Sequence, residues 1–276
     1  MLEAFLVGAM LLACGPSRAE TQGHSHNDYA QSRPLQTALE HGFGSIEADV
    51  YPINGELLVG HNPADLKPEK TLRSIYLDPL RGWYRAGEAG KATPGSLQLM
   101  IDIKRDATNC YRLLLEQLIS YPDLIATLDQ GTLRGGPVRV VLSGDRPFAE
   151  VARDLAKWTG LDGKLEHLAN GKPTFATLEM PMISAQWTEV CHWNGVQPIL
   201  GSDETKLTEF IELCHRNGRT ARLWGAPDRL EVWLELKSLG MDWVNTDFLA
   251  EAGKALGLKP SNAAGKDPQS RERRAE

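Results

Sequence analysis

The chain has 276 residues, 42% hydrophobic and 24% charged, enough apolar material to bury a full core as one large domain. A net charge of −6 and a pI near 5.7 leave no broad basic surface, which excludes duplex nucleic acid as an expected partner. A local cationic site for one phosphate is compatible with the same numbers.

The first residues, "MLEAFLVGAMLLACG", form an apolar run of signal-peptide length that is too short to span a bilayer with ease. Residues 1–19 are therefore expected to be an export signal, with Glu3 standing where a positive n-region is usual. "LLAC" resembles a bacterial lipobox, which would make Cys14 a lipid anchor and the chain a secreted, periplasmic or membrane-anchored protein. The alternative is a buried N-terminal helix.

After this lead-in, "GHSHNDYAQSRPL" places His24, His26, Asn27 and Asp28 in one short polar stretch. "SIEADV" follows as a strand. Side chains alternate along a strand, so Ile46, Ala48 and Val50 share one face while Glu47 and Asp49 share the other. "ELLVGHN" then ends in His61, a position suited to the rim of a strand or hairpin. "LQLMIDIK" repeats the alternation, with Leu97, Leu99, Ile101 and Ile103 opposite Asp102 and Lys104.

Further strands are expected in "VRVVLSG", "PMISAQW", "TARLWG" and "DWVNTDF", alternating with helical patterns in "YRLLLEQLIS", "RPFAEVARDLAKW", "TKLTEFIELCHRNG" and "DRLEVWLELKSLG". Leu207, Phe210, Ile211 and Cys214 recur at helical spacing, and Gly218 stands where a C-terminal cap belongs. The alternation admits a (β/α)₈ barrel or an open doubly wound sheet. No GxGxxG follows the first strand and "GEAGKAT" lacks P-loop spacing, so the expectation is a (β/α)₈ TIM barrel over residues 20–258 with a disordered polar tail over 259–276. Cys110, Cys191 and Cys214 show no metal-binding spacing; at most one disulfide is open to them, and its pairing is undetermined.

One acid on one strand reads as an edge position or a buried salt bridge. Two such strands side by side are costly unless a cation neutralises them, so a hard divalent ion on oxygen ligands, Mg²⁺ or Ca²⁺, is the economical account. The barrel's C-terminal rim should carry the site, with the histidines flanking the ion as a general acid and base. Arg222 and Trp224 share a strand face and are expected to wall the pocket and meet substrate, with core packing as the alternative for the tryptophan. Asn245 and Asp247 either hydrogen-bond the site or satisfy the closing strand. Ser143, Asp145 and Asp154 read as structural, and His41, Glu166 and His167 as solvated or core-satisfied.

At these residues the sequence resembles the phosphatidylinositol-specific phospholipase C and glycerophosphodiester phosphodiesterase superfamily. "HND-Y", "ALEHGFGSIEADV", "GELLVGH" and "LMIDIK" carry the likeness, in order. The resemblance implies His26 and His61 as catalytic histidines, Asn27, Glu47, Asp49 and Asp102 as ligands of one divalent cation, and Lys104 as a phosphate contact. It implies a phosphodiester or phospholipid substrate, possible contact with a membrane surface, and, where a substrate hydroxyl is the attacker, a cyclic phosphate as first product. Two departures stand out. "HSH" replaces the His-Arg-Gly motif of the phosphodiesterase branch, which leaves His24 open as a substrate contact or as the working histidine, and Asp28 replaces a threonine. Two rival readings are a metallohydrolase whose His24-x-His26 pair binds transition metals, and a catalytically idle binding barrel.

Overall fold

A computed structural model describes residues 20–87, 93–171 and 175–259. The expected leader with Cys14, and the expected tail beyond Lys259, lie outside the described residues. Eight parallel strands close on one another: β1 (Gln22–Ser25), β2 (Ser45–Ile53), β4 (Leu97–Ile103), β7 (Val138–Gly144), β8 (Thr159–Gly163), β9 (Met182–Gln186), β10 (Thr220–Trp224) and β11 (Trp243–Thr246). β1 pairs with both β2 and β11, which shuts the cylinder. The expected (β/α)₈ barrel is the observed fold.

Two antiparallel additions interrupt the alternation. β3 (Glu56–Val59) folds back on the long β2, with Val50 opposite Val59. β5 (Ala126–Asp129) and β6 (Thr132–Gly135) form a separate hairpin. Around the barrel run α1 (Gln36–Glu40), α2 (Asp78–Arg85), α3 (Ala107–Leu118), α4 (Phe148–Arg153), α5 (Trp187–Val190), α6 (Gly201–Arg216), α7 (Leu230–Leu239) and α8 (Leu249–Leu256).

Strand parity divides the core. Ile46, Ala48, Val50, Leu99, Ile101, Ile103, Val140 and Leu142 face outward and belong to the main apolar core. Inward, Met100, Val141 and Met182 pack with Trp243 as a separate apolar layer. Barrels of eight parallel strands are filled by side chains and put their sites at the C-terminal strand ends. The inner layer here is the floor, and charged residues lie above it.

α6 buries Leu207, Phe210, Ile211 and Cys214 as the spacing predicts, and Gly218 beyond its end takes φ 69°. α4 stops at Arg153, well short of the predicted pattern. Asp154 there turns extended, and its carboxylate accepts the backbone N–H groups of Ala156 and Trp158 at 3.0 Å each, a local alternative to helix. β8, with the sequence TGLDG, has no apolar run and was not expected. The three cysteines are buried and free.

Candidate active site

A cavity of about 460 Å³ opens among the C-terminal ends of the strands, lined by His26, Asn27, Glu47, His61, Asp102 and Lys104 on one side. Ser143, Arg146, Asp162, Lys164, Ser184 and Arg222 line the other, with Trp224 half-exposed between wall and surface.

The acids come from neighbouring strands. Asp49 of β2 lies beside Asp102 of β4 in the parallel register, and Ser143 of β7 lies next to Asp102. Close packing of β7 on β4 requires Gly144, because a Cβ there would fall 2.3 Å from Asp102 Oδ1. Oxygens of Glu47, Asp49 and Asp102 all lie within 4.8 Å of one another. Asp49 Oδ2 is crowded: Lys104 Nζ is 2.8 Å away, His61 Nδ1 3.0 Å and the Tyr29 hydroxyl 2.7 Å. Asp49 Oδ1 is buried with no hydrogen-bond partner. Burial pushes the Asp102 carboxyl up to about 6; Lys104 opposes this, while Glu47 and Asp49 add to it.

A buried, unpartnered carboxylate oxygen inside an all-oxygen cluster fits a hard divalent cation. Lys104 supplies one positive charge at the same place, 3.6 Å from Asp102. It leaves the second oxygen of Asp49 unserved.

Glu47 is held differently. Arg222 Nη2 donates to its Oε2 at 2.9 Å and His24 Nε2 lies 2.7 Å from the same atom. Burial alone would raise this carboxyl; Arg222 and His24 instead hold it well below the usual carboxylate range. Arg222 is oriented in turn by Asn245, whose Oδ1 accepts from Nε and Nη2 at 3.0 and 2.7 Å.

The two histidines of "HSH" separate. His24 is fully buried on β1, with Nδ1 2.7 Å from Ser45 Oγ and Nε2 on Glu47. Gln98 donates to the same Ser45 hydroxyl at 2.9 Å, a chain that makes Nδ1 an acceptor and Nε2 the donor. Burial, and then the Arg222 charge, lower the His24 pKa to about 4, so it is neutral near pH 7. The expectations for His24 as a substrate contact or as the working histidine are corrected accordingly: the inward pleat of β1 points it at Glu47 below the cavity lining. The rival reading of a His24-x-His26 metal pair meets the same obstacle, since both His24 nitrogens are engaged.

His26 lies on the cavity wall, half-buried. Its Nδ1 is 2.9 Å from Asp247 Oδ1, and this carboxylate keeps its pKa above the ordinary value even though burial, the largest influence, lowers it. Asp247 thus joins the site rather than merely closing the last strand. His61, exposed at the end of the β2–β3 hairpin, is anchored through Nδ1 to Asp49, and its backbone carbonyl accepts from the Tyr51 hydroxyl at 2.9 Å. Both histidines line one cavity with Nδ1 tied to a carboxylate, and neither Nε2 has a hydrogen bond among the described residues.

The loop holding His26 and Asn27 is knotted by Asp28. Fully buried, Asp28 accepts from Ser25 Oγ at 2.7 Å, the Leu35 backbone at 2.5 Å and the Tyr76 hydroxyl at 3.1 Å. The substitution of aspartate for threonine thus has a structural reason, since one carboxylate draws both ends of the loop together. Asn27 takes a left-handed backbone, φ 46°, and its Oδ1 lies 2.6 Å from the Tyr29 hydroxyl.

Sequence reasoning placed Arg222 and Trp224 at the pocket and missed the rest of the far wall. Asp162 of β8 sits between Arg146 at 3.2 Å and Arg222 at 3.9 Å, with the Ser143 hydroxyl at 3.3 Å. Asp162 alternates with glycines, and Arg146 lies in a loop, so no apolar periodicity announces either residue. The Asp-Arg-Pro run after β7 was the one available signal.

An AIM6-like phosphodiesterase domain model matches residues 18–92, the stretch that contains both histidines of the cavity and two of its acids. Altered inheritance of mitochondria protein 6 of Eremothecium gossypii is 30% identical over 272 residues, covering 85% of this chain and 69% of its own length. The chain belongs to the altered inheritance of mitochondria protein 6 family. A homolog of this family in Arthroderma benhamiae is 28% identical, covering 81% of this chain and 80% of its own. Among solved structures, the calcium-dependent phosphoinositol-specific phospholipase C of a Pseudomonas species superposes with a TM-score of 0.54 at 13% identity, over 84% of this chain and 90% of that one. At that identity the likeness establishes the fold. The superfamily resemblance read from the motifs stands. The expectation of export does not: the relatives are named for altered inheritance of mitochondria, and none of the names reported carries export.

Proposed function

We propose that this family member is a phosphoric diester hydrolase in which His26 and His61 divide the two proton transfers. The observation that carries the reading is the pair of histidines on one cavity wall, each with Nδ1 held by a carboxylate and Nε2 free for a substrate proton. One Nε2 removes a proton from the attacking oxygen, and the other delivers a proton to the leaving alkoxide.

Glu47, Asp49 and Asp102, with Asn27 beside them, would hold one divalent cation, Mg²⁺ or Ca²⁺. Such an ion supplies charge stabilisation at a nonbridging phosphate oxygen. Lys104 adds a second positive charge to the same oxygen's surroundings. Asp247 and Asp49 each hold one imidazole through Nδ1, and Asp247 favours the protonated form of His26. Arg222 and His24 hold Glu47 in position. Trp224 walls the mouth against which the organic part of a substrate rests.

The test is a panel of glycerophosphodiesters, phosphatidylinositol, lysophospholipids and sphingomyelin, assayed with and without EDTA, with phosphorus NMR of the products. Cleavage that EDTA abolishes is expected, and a cyclic phosphate signal would identify a substrate hydroxyl as the attacker. No cleavage of any member overturns the reading, and undiminished cleavage in EDTA removes the cation from it.

A further inference from the structure

Asn27 has a side chain that its own loop does not use. It precedes the short helical turn Asp28–Ala30 in a left-handed conformation, φ 46° and ψ 41°, and makes no capping hydrogen bond to that turn. Asparagine tolerates this backbone better than most residues, but glycine would serve the conformation equally well. The amide meets two other groups instead. Its Oδ1 lies 2.6 Å from the Tyr29 hydroxyl, and its Nδ2 lies 3.3 Å from His26 Nδ1.

A count of protons shows that neither contact works in that orientation. Tyr29 carries one hydroxyl proton and stands 2.7 Å from Asp49 Oδ2, a carboxylate oxygen that can only accept. A hydrogen bond to a charged acceptor is about twice as strong as one to a neutral amide, so the phenol proton goes to Asp49. The Tyr29 oxygen can then only accept, yet it faces another oxygen. At the other end, Asp247 Oδ1 at 2.9 Å places a hydrogen on His26 Nδ1. That N–H faces the amide nitrogen, donor against donor. A half-turn of the amide about χ2 removes both conflicts at once. The two ends of a side-chain amide have nearly the same shape, so their neighbours decide which end lies where. Nδ2 then donates to Tyr29, and Oδ1 accepts from His26 beside Asp247.

We propose that Asn27 is a positioning bridge for His26 rather than a ligand of the proposed cation, and that with Tyr29 and Asp49 it ties the two histidines of the cavity into one frame. The catalytic part of the inference rests on the two-histidine phosphodiesterase reading. The chain of contacts runs from His26 Nδ1 through the Asn27 amide and the Tyr29 hydroxyl to Asp49 Oδ2, and on to His61 Nδ1 at 3.0 Å. Every link then has one donor and one acceptor. The bridge matters because the other hold on His26 is weak: the Asp247 side chain is 56% exposed, and a pair so open to water fixes geometry poorly. Asp49 is fully buried, and Asp28 knots the loop that carries Asn27. Both Nε2 atoms are thus aimed from one fixed body, as two proton transfers at one phosphate require. Toward Tyr29 and Asp49 the amide presents N–H groups, which cannot ligate a hard cation. Asn27 is a neighbour of the three carboxylates, and its oxygen belongs to the imidazole.

The test is NMR of the full chain with nitrogen-15 in its asparagine side chains, metal-free and with Ca²⁺. The Asn27 amide protons should show stronger nuclear Overhauser effects to the Tyr29 ring than to the His26 ring, and should keep them when Ca²⁺ is added. The reverse pattern, or a switch on adding Ca²⁺, overturns the inference. Asn27→Gly keeps the left-handed backbone and removes only the amide. Its rise in melting temperature with Ca²⁺ should match that of wild type, whereas loss of the rise would make Asn27 a ligand.

On a substrate the panel identifies, Asn27→Gly and Tyr29→Phe should each lower kcat by roughly tenfold to a hundredfold with KM unchanged. The double variant should lose far less than the product of the two, since either change breaks the same bridge. Effects that multiply, or wild-type turnover by Asn27→Gly, overturn the inference as well. The spectra and the melts need no turnover, so a failed activity panel beside the expected Overhauser pattern would unseat the phosphodiesterase reading and leave the bridge standing. A wild type whose melting ignores Ca²⁺ would unseat the cation site alone, with the metal-free spectrum still deciding the orientation of Asn27.

Discussion

The two walls of the cavity solve the same electrostatic problem in opposite ways. On the near wall, Glu47, Asp49 and Asp102 crowd one point with Lys104, and Asp49 retains a buried oxygen that no donor reaches. On the far wall, Asp162 too keeps a buried Oδ1 without a hydrogen-bond partner, but its Oδ2 is bracketed by two guanidinium groups and a serine hydroxyl, so the difference between the walls is one of charge. Burial, the main influence there, still raises its pKa, with Arg146 and Arg222 working against it. The near wall carries an excess of acid that the proposed cation would offset, whereas the far wall carries its cations built in. An excess of acid marks where an ion belongs, and a balanced pair marks a frame.

The largest effects should come from the two histidines of the near wall. His26→Ala and His61→Ala should each lower kcat by roughly 10²–10⁴-fold on any substrate the panel identifies, with little change in melting temperature. Wild-type turnover by either variant would remove the two-histidine scheme.

Next, Asp162→Ala should destabilise the fold by about 3–5 kcal/mol, because it strands Arg146 and Arg222 in a buried place. Its response to metal should be intact. Asp49→Asn should behave the other way. Wild-type melting temperature should climb with Mg²⁺ or Ca²⁺, by about 2.7 kcal/mol of stabilisation at a hundredfold excess over Kd. That dependence should weaken in Asp49→Asn, whose metal-free form loses one repelling charge. Identical metal titrations of wild type and Asp49→Asn would mean that the carboxylate cluster is not the cation site, and the contrast between the walls would collapse.

How much of this could be read from the sequence follows the same line. The near wall announced itself because its residues sit on strands with strong alternation. Glu47, Asp49 and Asp102 are the polar interruptions of otherwise apolar runs, and His61 ends another. Parity even gave the correct face. It gave no depth: His24 and His26 share a face of the chain at its entry, yet one is sealed beneath Glu47 and the other opens on the cavity. Depth depends on where β1 ends relative to β2, and the pairing of His24 with Ser45 is a long-range fact. Apart from Arg222, the far wall was invisible because β8 is a short strand with glycine on either side of its Leu-Asp pair, and its acid meets an arginine from another loop.

Two smaller effects sharpen the account. In EDTA, the His24–Glu47 pair should lose its contribution to stability on acidification. His24 takes up a proton near 6.5 when unfolded but only near 4 when folded, so its contribution is complete above pH 6.5 and is lost as pH drops toward 4. Glu47, with its folded pKa depressed, acts in the same direction at lower pH, its contribution present above 4.5 and lost below. Asp102, raised to about 6, takes up its proton first in the folded state and works the other way, so the check is direct: a His24 imidazole NMR signal titrating near 6.5 in the metal-free protein would contradict the burial of this pair. The smallest change should be Tyr76→Phe, which removes one of three donors to Asp28 and should cost about 1 kcal/mol by chemical denaturation.

The β2–β3 hairpin has a consequence for how such an enzyme could diversify. In a barrel of this kind each loop can change without disturbing its neighbours, and machinery spread over many loops would be disrupted by almost any exchange. Here β2 runs past the barrel and returns as β3, so one uninterrupted stretch from His24 to His61 holds both histidines of the cavity and two of the three acids of the carboxylate cluster. On the proposed reading, both proton-transfer groups would travel as one segment, with Asp102, Lys104 and Asp247 supplied from elsewhere in the chain. The loops after β7 to β10 remain free to be rewritten for a different headgroup, and a chimera that swaps only those loops should change what is cleaved while leaving how it is cleaved alone.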